Sequence, residues 1–302
     1  MLLQYLLEDL TNVEISGDTN QEINKIEYDS KKIEKGDVFV AINGYNEDGK
    51  EYIDDAIKRG AIAIVYDGET EKRDNVTYIK VEDARIALAQ MAAQYYGHPA
   101  RKLKIIGVTG TKGKTTTTYM IRDIMLASGK KIGMIGTVCN TYADVKEEAT
   151  KTSPESLDLQ ALLARMVEKE MEYVVMEVSS HALALNRVYG IKFIVGVFTN
   201  LSEEHLDFHE TMDNYLQAKA KLFEMSDFAI VNGDDIYAPR LLKMIEGKKA
   251  TYGLDNAVDF TATDVRVNPS YVEFKMYVNK MLETIRINIP GRYTVYNALA
   301  AI

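Results

Sequence analysis

The sequence predicts an α/β protein, with a small N-terminal domain followed by a larger domain built on a mostly parallel sheet. Apolar, strand-like runs alternate with helical stretches along most of the chain, an order that places helices on both faces of a parallel sheet. The chain has 302 residues, of which 46% are hydrophobic and 27% charged, as in a folded protein of about two domains. We therefore predict domains at residues 1–98 and 99–302.

The N-terminal domain contains a predicted β-α-β unit. Residues 37–42 and 61–66 are apolar runs typical of buried strands, and residues 50–59 between them carry apolar side chains at helical spacing. A second helix is expected from about residue 83 to residue 96. Gly97-His98-Pro99 should end that helix, because proline lacks an N–H and restricts the residue before it. The domain boundary is placed at this break.

The larger domain is predicted from further strand-like runs separated by helices. A helix with one apolar face should begin near Lys114. Strands are expected at residues 103–108, 132–138, 173–178, 193–198 and 228–231. Two later runs, residues 271–277 and 281–287, are predicted to pair antiparallel through a turn near Asn279. Ligands of a mostly parallel sheet bind at the carboxyl ends of its strands, so functional residues are sought there.

Net charge bears on the kinds of partner, and cysteine content and the N-terminal segment bear on the cellular compartment. The formal net charge of -9 argues against a general affinity for nucleic acid or for an anionic membrane. A single cysteine, Cys139, cannot form an internal disulfide, which favours a reducing compartment. The N-terminal segment lacks the basic start of a signal peptide, and no run approaches the roughly 20 apolar residues that span a bilayer. We expect a cytoplasmic protein.

A glycine-rich loop lies between the first strand of the larger domain and the helix that follows. It reads Gly110-Thr111-Lys112-Gly113-Lys114-Thr115-Thr116. The glycines let main-chain N–H groups curl toward an anion, the helix N-terminus adds positive partial charge, and Lys114 can reach the outer phosphates of a nucleotide. Thr115 would offer its hydroxyl to a phosphate-bound Mg²⁺. The context favours nucleotide binding over a chance glycine-rich turn, and leaves the choice between ATP and GTP open.

A carboxylate and several histidines follow predicted strands. Glu177 should end the strand at residues 173–178, where a carboxylate can hold Mg²⁺ beside phosphates. Three of the four histidines, His181, His205 and His209, lie near predicted strand ends, and their grouping with Glu177 favours a site over isolated core or loop histidines. His205 and His209 also have the spacing of a helical zinc site. The glutamate expected after the first histidine is missing, and Mg²⁺ suits the carboxylate better.

Residues 215–223 form an amphipathic helical segment that carries two lysines. The pattern alone predicts a solvated helix face. It does not separate Lys219 from Lys221 as a functional residue.

Several short motifs occur in the order found in one enzyme family. They are the loop at residues 110–116, Thr152-Ser153-Pro154-Glu155-Ser156, Glu177-Val178-Ser179-Ser180-His181, Thr199-Asn200-Leu201 with His205-Leu206-Asp207-Phe208-His209, Ala218-Lys219, and Asn232-Gly233-Asp234-Asp235. Together they resemble the Mur ligase family from about Asp29 to the last residue. Within that family the sequence most resembles the enzymes that add the third residue of the peptidoglycan stem.

The resemblance implies a role for each motif. The central domain would be a P-loop-type ATPase in which residues 110–116 bind the phosphates of ATP and Asn297 lies near its base. The implied catalytic residues are Lys114, Glu177, His205 and Lys219, and the implied Mg²⁺ ligands are Thr115, Glu177, His205 and Lys219, the lysine being carbamoylated. The N-terminal domain would bind the UDP moiety through Ser30 and the loop Asn43-Gly44-Tyr45-Asn46. Contacts to the muramoyl dipeptide would come from Thr152, Ser153, Ser179 and Arg187.

The reaction implied by the resemblance is ATP-dependent amide synthesis. ATP would phosphorylate the free carboxylate of UDP-N-acetylmuramoyl-L-alanyl-D-glutamate, and the amine of L-lysine or meso-diaminopimelate would attack the acyl phosphate. In this family a third domain carries the amino-acid pocket. The sequence stops at Ala300-Ala301-Ile302, inside what resembles the last helix of the central domain. We therefore expect a truncated form that binds ATP and the UDP-substrate and ligates slowly.

Two other interpretations fit parts of the sequence. MurF and folylpolyglutamate synthase share the loop and the lysine. The match of residues 28–66 to a UDP-binding domain argues against the folate enzyme, and the motif at residues 152–156 argues against MurF. A non-catalytic nucleotide-binding remnant of the fold is the third interpretation, and it would not need to bind a UDP-dipeptide.

Overall fold

The structure is a computed structural model that describes residues 1–44 and 48–302. These residues form two compact units. The first comprises Met1–Pro99, Pro154–Ala164 and Leu185–Gly190, and the second comprises Ala100–Ser153, Arg165–Ala184 and Ile191–Ile302. Two segments from later in the chain also belong to the first unit, so the units are not two continuous stretches of sequence. The domain boundary between residues 98 and 99 stays a prediction.

The first unit is an α/β layer structure. Its helices and strands are α1 (Leu3–Leu6), β1 (Glu14–Ser16), β2 (Ile26–Glu27), β3 (Val38–Ala41), α2 (Ile53–Arg59), β4 (Ala63–Asp67), β5 (Thr77–Val81) and α3 (Ala84–Tyr95). The sheet order is β1-β5-β4-β3-β2, with β2 to β5 parallel and β1 antiparallel to β5. The predicted β-α-β unit is confirmed as β3-α2-β4.

Both faces of this sheet are covered, which explains the continuous apolar runs. Val38 and Val40 of β3 pack in one buried cluster, whereas Phe39 and Ala41 pack in another. The first cluster also contains Leu157, from the segment that joins this unit from later in the chain. A strand buried on both faces has no polar alternation, so its sequence is apolar throughout.

The second unit carries a long, mostly parallel sheet. Its elements are β6 (Lys104–Thr109), α4 (Lys114–Ala127), β7 (Ile132–Ile135), β8 (Cys139–Tyr142), β9 (Val145–Glu148), α5 (Ser156–Glu168, which begins in the first unit), β10 (Tyr173–Glu177), α6 (Ser180–Ala184), β11 (Phe193–Phe198), α7 (Leu206–His209), α8 (Met212–Glu224), β12 (Phe228–Asn232), α9 (Ala238–Met244), β13 (Lys248–Gly253), β14 (Phe260–Thr261), β15 (Thr263–Val267), β16 (Val272–Val278), β17 (Met281–Ile287) and α10 (Arg292–Ala301). The order of the large sheet is β14-β13-β12-β11-β6-β10-β7-β8-β9. The strands from β14 to β7 in this order are parallel, and β8 and β9 extend the sheet antiparallel. The predicted α/β class is confirmed.

One predicted strand is too long. The sequence predicts a continuous strand over residues 132–138, but β7 ends at Ile135 and the chain bends at Thr137 and Val138 before β8. The bend brings the amide of Thr137 within 2.8 Å of Glu177 Oε1, to which it donates a hydrogen bond. Because the strand ends early, Thr137 can hydrogen-bond to the carboxylate of Glu177.

The predicted antiparallel pair near the C-terminal end is confirmed. β16 and β17 pair from Val272 with Ile287 to Val278 with Met281. Asn279 and Lys280 form the turn, with φ values of 50° and 68°. Two consecutive residues with positive φ are typical of the two-residue loops that connect the strands of a β-hairpin. Among the residues described, no helix combines the length and the apolar character that crossing a bilayer requires.

Candidate functional site

The loop after β6 is held in place by the segment that follows β11. Thr199 Oγ1 donates to Lys112 O at 2.7 Å, and Lys112 N donates to Asn200 Oδ1 at 2.9 Å. Gly110 has a φ of 148°, and a Cβ at this position would lie 1.9 Å from Thr199 Oγ1. Only glycine allows these two segments of the chain to approach this closely. The loop leads into the first turn of α4, whose N–H groups have no partners within the helix and can bind an anion.

Two lysine amines from different elements meet at one carbonyl of this loop. Lys114 Nζ donates to Gly110 O and to Thr111 O, both at 2.9 Å. Lys219 Nζ, from α8, also donates to Gly110 O at 2.9 Å. Sequence patterns did not separate Lys219 from Lys221. The structure does, because Lys219 is 1% exposed and Lys221 is exposed.

Burial changes the acid–base properties of both amines. It lowers the pKa of Lys114, although Glu177 and Glu204 act in the opposite direction. The pKa of Lys219 lies well below its usual value, mainly because of burial and also because of the nearby charge of Lys114. Burial disfavours the charged form of an amine. The fraction of neutral, nucleophilic amine is therefore larger at Lys219 than at a surface lysine.

Glu177 is the last residue of β10 and is 1% exposed. The hydroxyl of Thr115 lies 3.0 Å from each carboxylate oxygen. Thr137 donates to Oε1 from its amide at 2.8 Å and to Oε2 from its hydroxyl at 3.1 Å. Gly136 makes room for the carboxylate, since a Cβ there would lie 2.5 Å from Glu177 Oε1. The carboxylate is thus fixed beside the first turn of α4, as the sequence predicted for the end of this strand.

The histidines form a cluster around Tyr215. The ring centroid of His205 lies 4.9 Å from that of His181 and 6.2 Å from that of Tyr215. His209 stacks on Tyr215 at 4.7 Å, and its Nε2 lies 2.8 Å from Ser180 Oγ. Burial, with smaller contributions from His181 and other nearby cations, lowers the pKa of His209 to about 4. In residues 1–44 and 48–302, no group of three or more His, Cys, Asp or Glu side chains is arranged for a metal ion.

Three residues predicted to contact the substrate surround Glu177 in the second unit. Thr137 Oγ1 lies 3.1 Å from Thr152 Oγ1. Ser153 Oγ donates to the main-chain oxygen of Glu177 at 2.9 Å and accepts from Ser179 N at 3.0 Å. These contacts place the predicted dipeptide-binding hydroxyls at the same strand end as the carboxylate.

The other predicted substrate contacts lie in the first unit. Ser30 is buried and its hydroxyl bonds to Asp55, which, with Arg59, lowers the pKa of that carboxyl group. Arg187 pairs with Glu155 at 2.7 Å. Of the predicted uridine loop, Asn43 accepts from Arg85 Nε at 2.7 Å through its main-chain oxygen. Tyr45 and Asn46 of that loop lie outside the described residues.

A cavity of about 870 Å³ opens beside the loop in the second unit. Its lining includes Lys112, Gly113, Thr116, Asn200, Asp234 and Asn297. Asn297 Oδ1 accepts from Thr117 Oγ1 at 3.4 Å, which ties α10 to α4. The volume is within the usual range for a small-molecule site. Its wall includes three residues of the loop and the first turn of α4, Lys112, Gly113 and Thr116.

Comparison with models of protein families gives two matches. The model described as Mur ligase middle domain matches residues 108–302, which is more than half of the chain. This chain belongs to the Mur ligase family. A second model, described as Mur ligase family, catalytic domain, matches residues 22–96.

Individual relatives of this Mur ligase align with it over its full length. The UDP-N-acetylmuramoyl-L-alanyl-D-glutamate–2,6-diaminopimelate ligase 1 of Clostridium acetobutylicum is 46% identical over 302 residues, which are 100% of this chain and 63% of that protein. The corresponding ligase of Clostridium perfringens is 44% identical over 307 residues, again 100% and 63%. A solved structure of a UDP-N-acetylmuramoyl-L-alanyl-D-glutamate–2,6-diaminopimelate ligase superposes with a TM-score of 0.83 at 25% identity, covering 100% of this chain and 62% of that one. The chain therefore spans less than two thirds of these relatives.

Sequence reasoning missed part of the cavity wall of this Mur ligase. Asp234 accepts from Leu254 N at 2.5 Å, from Asp255 N at 2.9 Å and from Tyr296 Oη at 2.9 Å. Burial raises the pKa of Asp234, but these hydrogen bonds together outweigh it and lower the pKa. The available signal was the motif at residues 232–235, which was recognised without a role for its carboxylates.

Proposed function

We propose that this Mur ligase is the nucleotide-binding and UDP-substrate-binding part of a MurE-type enzyme, which joins a third amino acid to UDP-N-acetylmuramoyl-L-alanyl-D-glutamate. One observation carries the proposal. The amines of Lys114 and Lys219 meet at Gly110 O, and the adjacent Thr115 contacts Glu177. A phosphate-binding loop, a carboxylate and a buried amine at one strand end suit the transfer of a phosphoryl group from ATP.

ATP would bind with its phosphates against the loop from Gly110 to Thr116. The N–H groups of the first turn of α4 would contact the phosphate oxygens, and Lys114 would exchange its contacts with the loop carbonyls for contacts with the outer phosphates. The cavity beside Asn297 would take the adenosine. Because the transferred phosphoryl group is stabilised by positioned charge, these contacts matter more than any covalent chemistry by the protein.

The residues around Glu177 fit a Mg²⁺ ion. The site offers a buried carboxylate and the hydroxyl of Thr115, and hard oxygen donors are the ligands that Mg²⁺ prefers. His205 would contribute from the histidine cluster. When bound, Mg²⁺ would neutralise charge on the phosphates during transfer. The protein's part is to hold the carboxylate and the hydroxyl against the nucleotide.

Lys219 would be carbamoylated. Its nitrogen would form a bond to the carbon of CO₂ and lose a proton, which converts an amine into an anionic carbamate with two oxygen donors. The burial of Lys219 and its lowered pKa support this, because only a neutral amine attacks CO₂. An unmodified amine offers a metal ion only a nitrogen that is already bonded to Gly110 O.

The reaction would follow from this arrangement in two steps. The free carboxylate of the UDP-dipeptide would attack the terminal phosphate of ATP, giving an acyl phosphate and ADP. The amine of the incoming amino acid would then attack the acyl carbon, forming an amide and releasing phosphate. The relatives are named as 2,6-diaminopimelate ligases, which favours diaminopimelate over lysine. The setting would be cytoplasmic synthesis of peptidoglycan precursors, with no nucleic-acid or membrane partner.

Calorimetry and a ligation assay test this proposal. We expect the chain to bind ADP with Mg²⁺ and to bind UDP-N-acetylmuramoyl-L-alanyl-D-glutamate. Ligation is then measured with diaminopimelate and with lysine on the UDP-dipeptide, and with D-alanyl-D-alanine on the UDP-tripeptide that already carries diaminopimelate. Addition of diaminopimelate to the dipeptide supports the MurE type, and addition of D-alanyl-D-alanine to the tripeptide would indicate a MurF type. Nucleotide binding without any binding of the UDP-dipeptide would favour a non-catalytic remnant.

The carbamate has a separate test with a matched control. In ¹³C-bicarbonate, native protein should give a carbamate carbon signal in its NMR spectrum. Lys219→Met should abolish that signal, whereas Lys221→Met, two residues along the same helix, should keep it. A signal that survives in Lys219→Met would assign the modification to another amine.

A further inference from the structure

Tyr215 lies directly beneath the amine of Lys219. The two residues are four apart on α8, so their side chains emerge on the same face of the helix. Tyr215 is 1% exposed, and Lys219 Nζ lies 4.4 Å from the centroid of its ring. This distance places the nitrogen against the face of the ring. The ring forms one side of the pocket that holds the nitrogen.

The same ring also reaches the phosphate loop. The hydroxyl of Tyr215 lies 3.3 Å from Thr111 Oγ1, which in turn accepts from Ser202 N at 3.0 Å. Thr111 is next to Gly110, whose carbonyl binds both lysine amines. Tyr215 is therefore in contact with the loop and with the lysine that bonds to it.

Neighbouring side chains fix the orientation of the ring. His209 stacks on Tyr215 with an angle of 20° between the ring planes, and Ser180 Oγ lies 2.8 Å from His209 Nε2. His205 contacts the ring edge-on, at 88°. With His209 stacked on it and His205 at a right angle to it, the ring has little freedom to turn. A lysine side chain has four rotatable bonds, and a rigid aromatic plane beside it limits the conformations that it can adopt.

We propose that Tyr215 is a positioning residue: its ring fixes the place of Lys219 Nζ, and its hydroxyl fixes Thr111 and with it the phosphate loop. The inference rests on the proposed function, in which both groups face the phosphates of ATP. The two parts of the side chain have separable roles. Loss of the hydroxyl should loosen the loop alone, and loss of the ring should also release Lys219.

The experiment compares Tyr215→Phe and Tyr215→Leu with Tyr252→Leu. Tyr252 is also 1% exposed and lies in the same unit, but its hydroxyl bonds to Phe198 O. The control therefore reports the effect of losing a buried tyrosine ring elsewhere. Two quantities are measured in each protein. One is the rate at which an acylating reagent modifies Lys219 in CO₂-free buffer, where its amine is unmodified, followed by mass spectrometry. The other is the affinity for ADP with Mg²⁺.

The expected results differ between the variants. Tyr215→Leu should speed the labelling of Lys219 about tenfold or more, since labelling of a buried group follows its local opening. Tyr215→Phe should leave that rate near native and weaken ADP binding roughly three- to tenfold, as for the loss of one hydrogen bond. Tyr252→Leu should change neither quantity, even if it lowers the melting temperature.

Two results would overturn the proposal. One is native labelling of Lys219 in Tyr215→Leu, and the other is equal acceleration in Tyr252→Leu, which would indicate a general loss of stability. The labelling measurement needs no nucleotide. If native protein failed to bind ADP, the proposed function would fail while labelling would still decide whether Tyr215 positions Lys219.

Discussion

At the scale of single residues, burial determines the chemistry of the site. Lys219 and Glu177 are each 1% exposed, yet each retains polar contacts with the loop or with its flanking threonines. Buried polar groups are tolerated when such partners are present. His209 follows the same rule through Ser180, and it stays neutral at physiological pH because its pKa is about 4.

The pKa of His209 predicts how stability depends on pH. The group has a pKa near 6.5 in the unfolded chain and about 4 in the folded protein. Between these values the unfolded state binds more protons, so acid favours unfolding. The contribution is fully present above about pH 6.5 and is lost as the pH falls toward 4. Urea unfolding should show a loss from this group of about 2 kcal/mol between pH 7 and pH 5.

A variant isolates this effect. His209→Gln can keep a hydrogen bond to Ser180 but cannot titrate, so its free energy of unfolding should depend less on pH over that interval. His98→Gln, in the first unit, replaces a histidine outside this cluster and serves as the control. An unchanged slope in His209→Gln would show that the folded protein does not hold this imidazole neutral.

At the scale of elements, a buried carboxylate joins helix α3 to a segment from later in the chain. Glu155 is 4% exposed and pairs with Arg85 of α3 at 3.1 Å and with Arg187 at 2.7 Å. All three residues belong to the first unit. Arg85 also donates to Asn43 O, in the first residue of the predicted uridine loop. One carboxylate therefore holds the predicted substrate contact Arg187 and an arginine that anchors the loop.

Neutralising Glu155 should be strongly destabilising. Glu155→Gln leaves two largely buried guanidinium groups without their carboxylate, and breaking a buried pair costs roughly 3–5 kcal/mol. Chemical unfolding measures the loss, and affinity for the UDP-dipeptide should fall with it. The control is Glu71→Gln, which removes an exposed partner of Arg73 and should leave unfolding unchanged. Equal stability of Glu155→Gln and native protein would contradict a structural role for this pair.

At the scale of the whole molecule, the sequence predicted what depends on local pattern. The apolar run before Glu177 predicted β10 with Glu177 at its end, and the alternation of strands with helices predicted the parallel sheet. Contacts between distant segments could not be predicted in this way. Lys219 differs from Lys221 only in what packs around it, and residues 154–164 join the first unit through long-range packing.

The site was predicted less completely than the fold. Glycine and lysine spacing identified the loop from Gly110 to Lys114 because the chemistry is carried by consecutive residues. Thr137 was missed, because the bend that brings it to Glu177 was read as the end of a strand. Asp234 and Tyr296 were missed because their contact joins positions 62 residues apart.

The central claim is that Lys114, Glu177 and Lys219 converge on one bound nucleotide. The most direct test is a calorimetric titration with ADP in the presence of Mg²⁺. Native protein should bind, and Lys114→Met should bind at least about tenfold more weakly, as expected for the loss of a charge-assisted contact to phosphate. The exposed Lys130→Met should bind as native does. Equal affinity of Lys114→Met and native protein, or no binding by native protein, would contradict the claim.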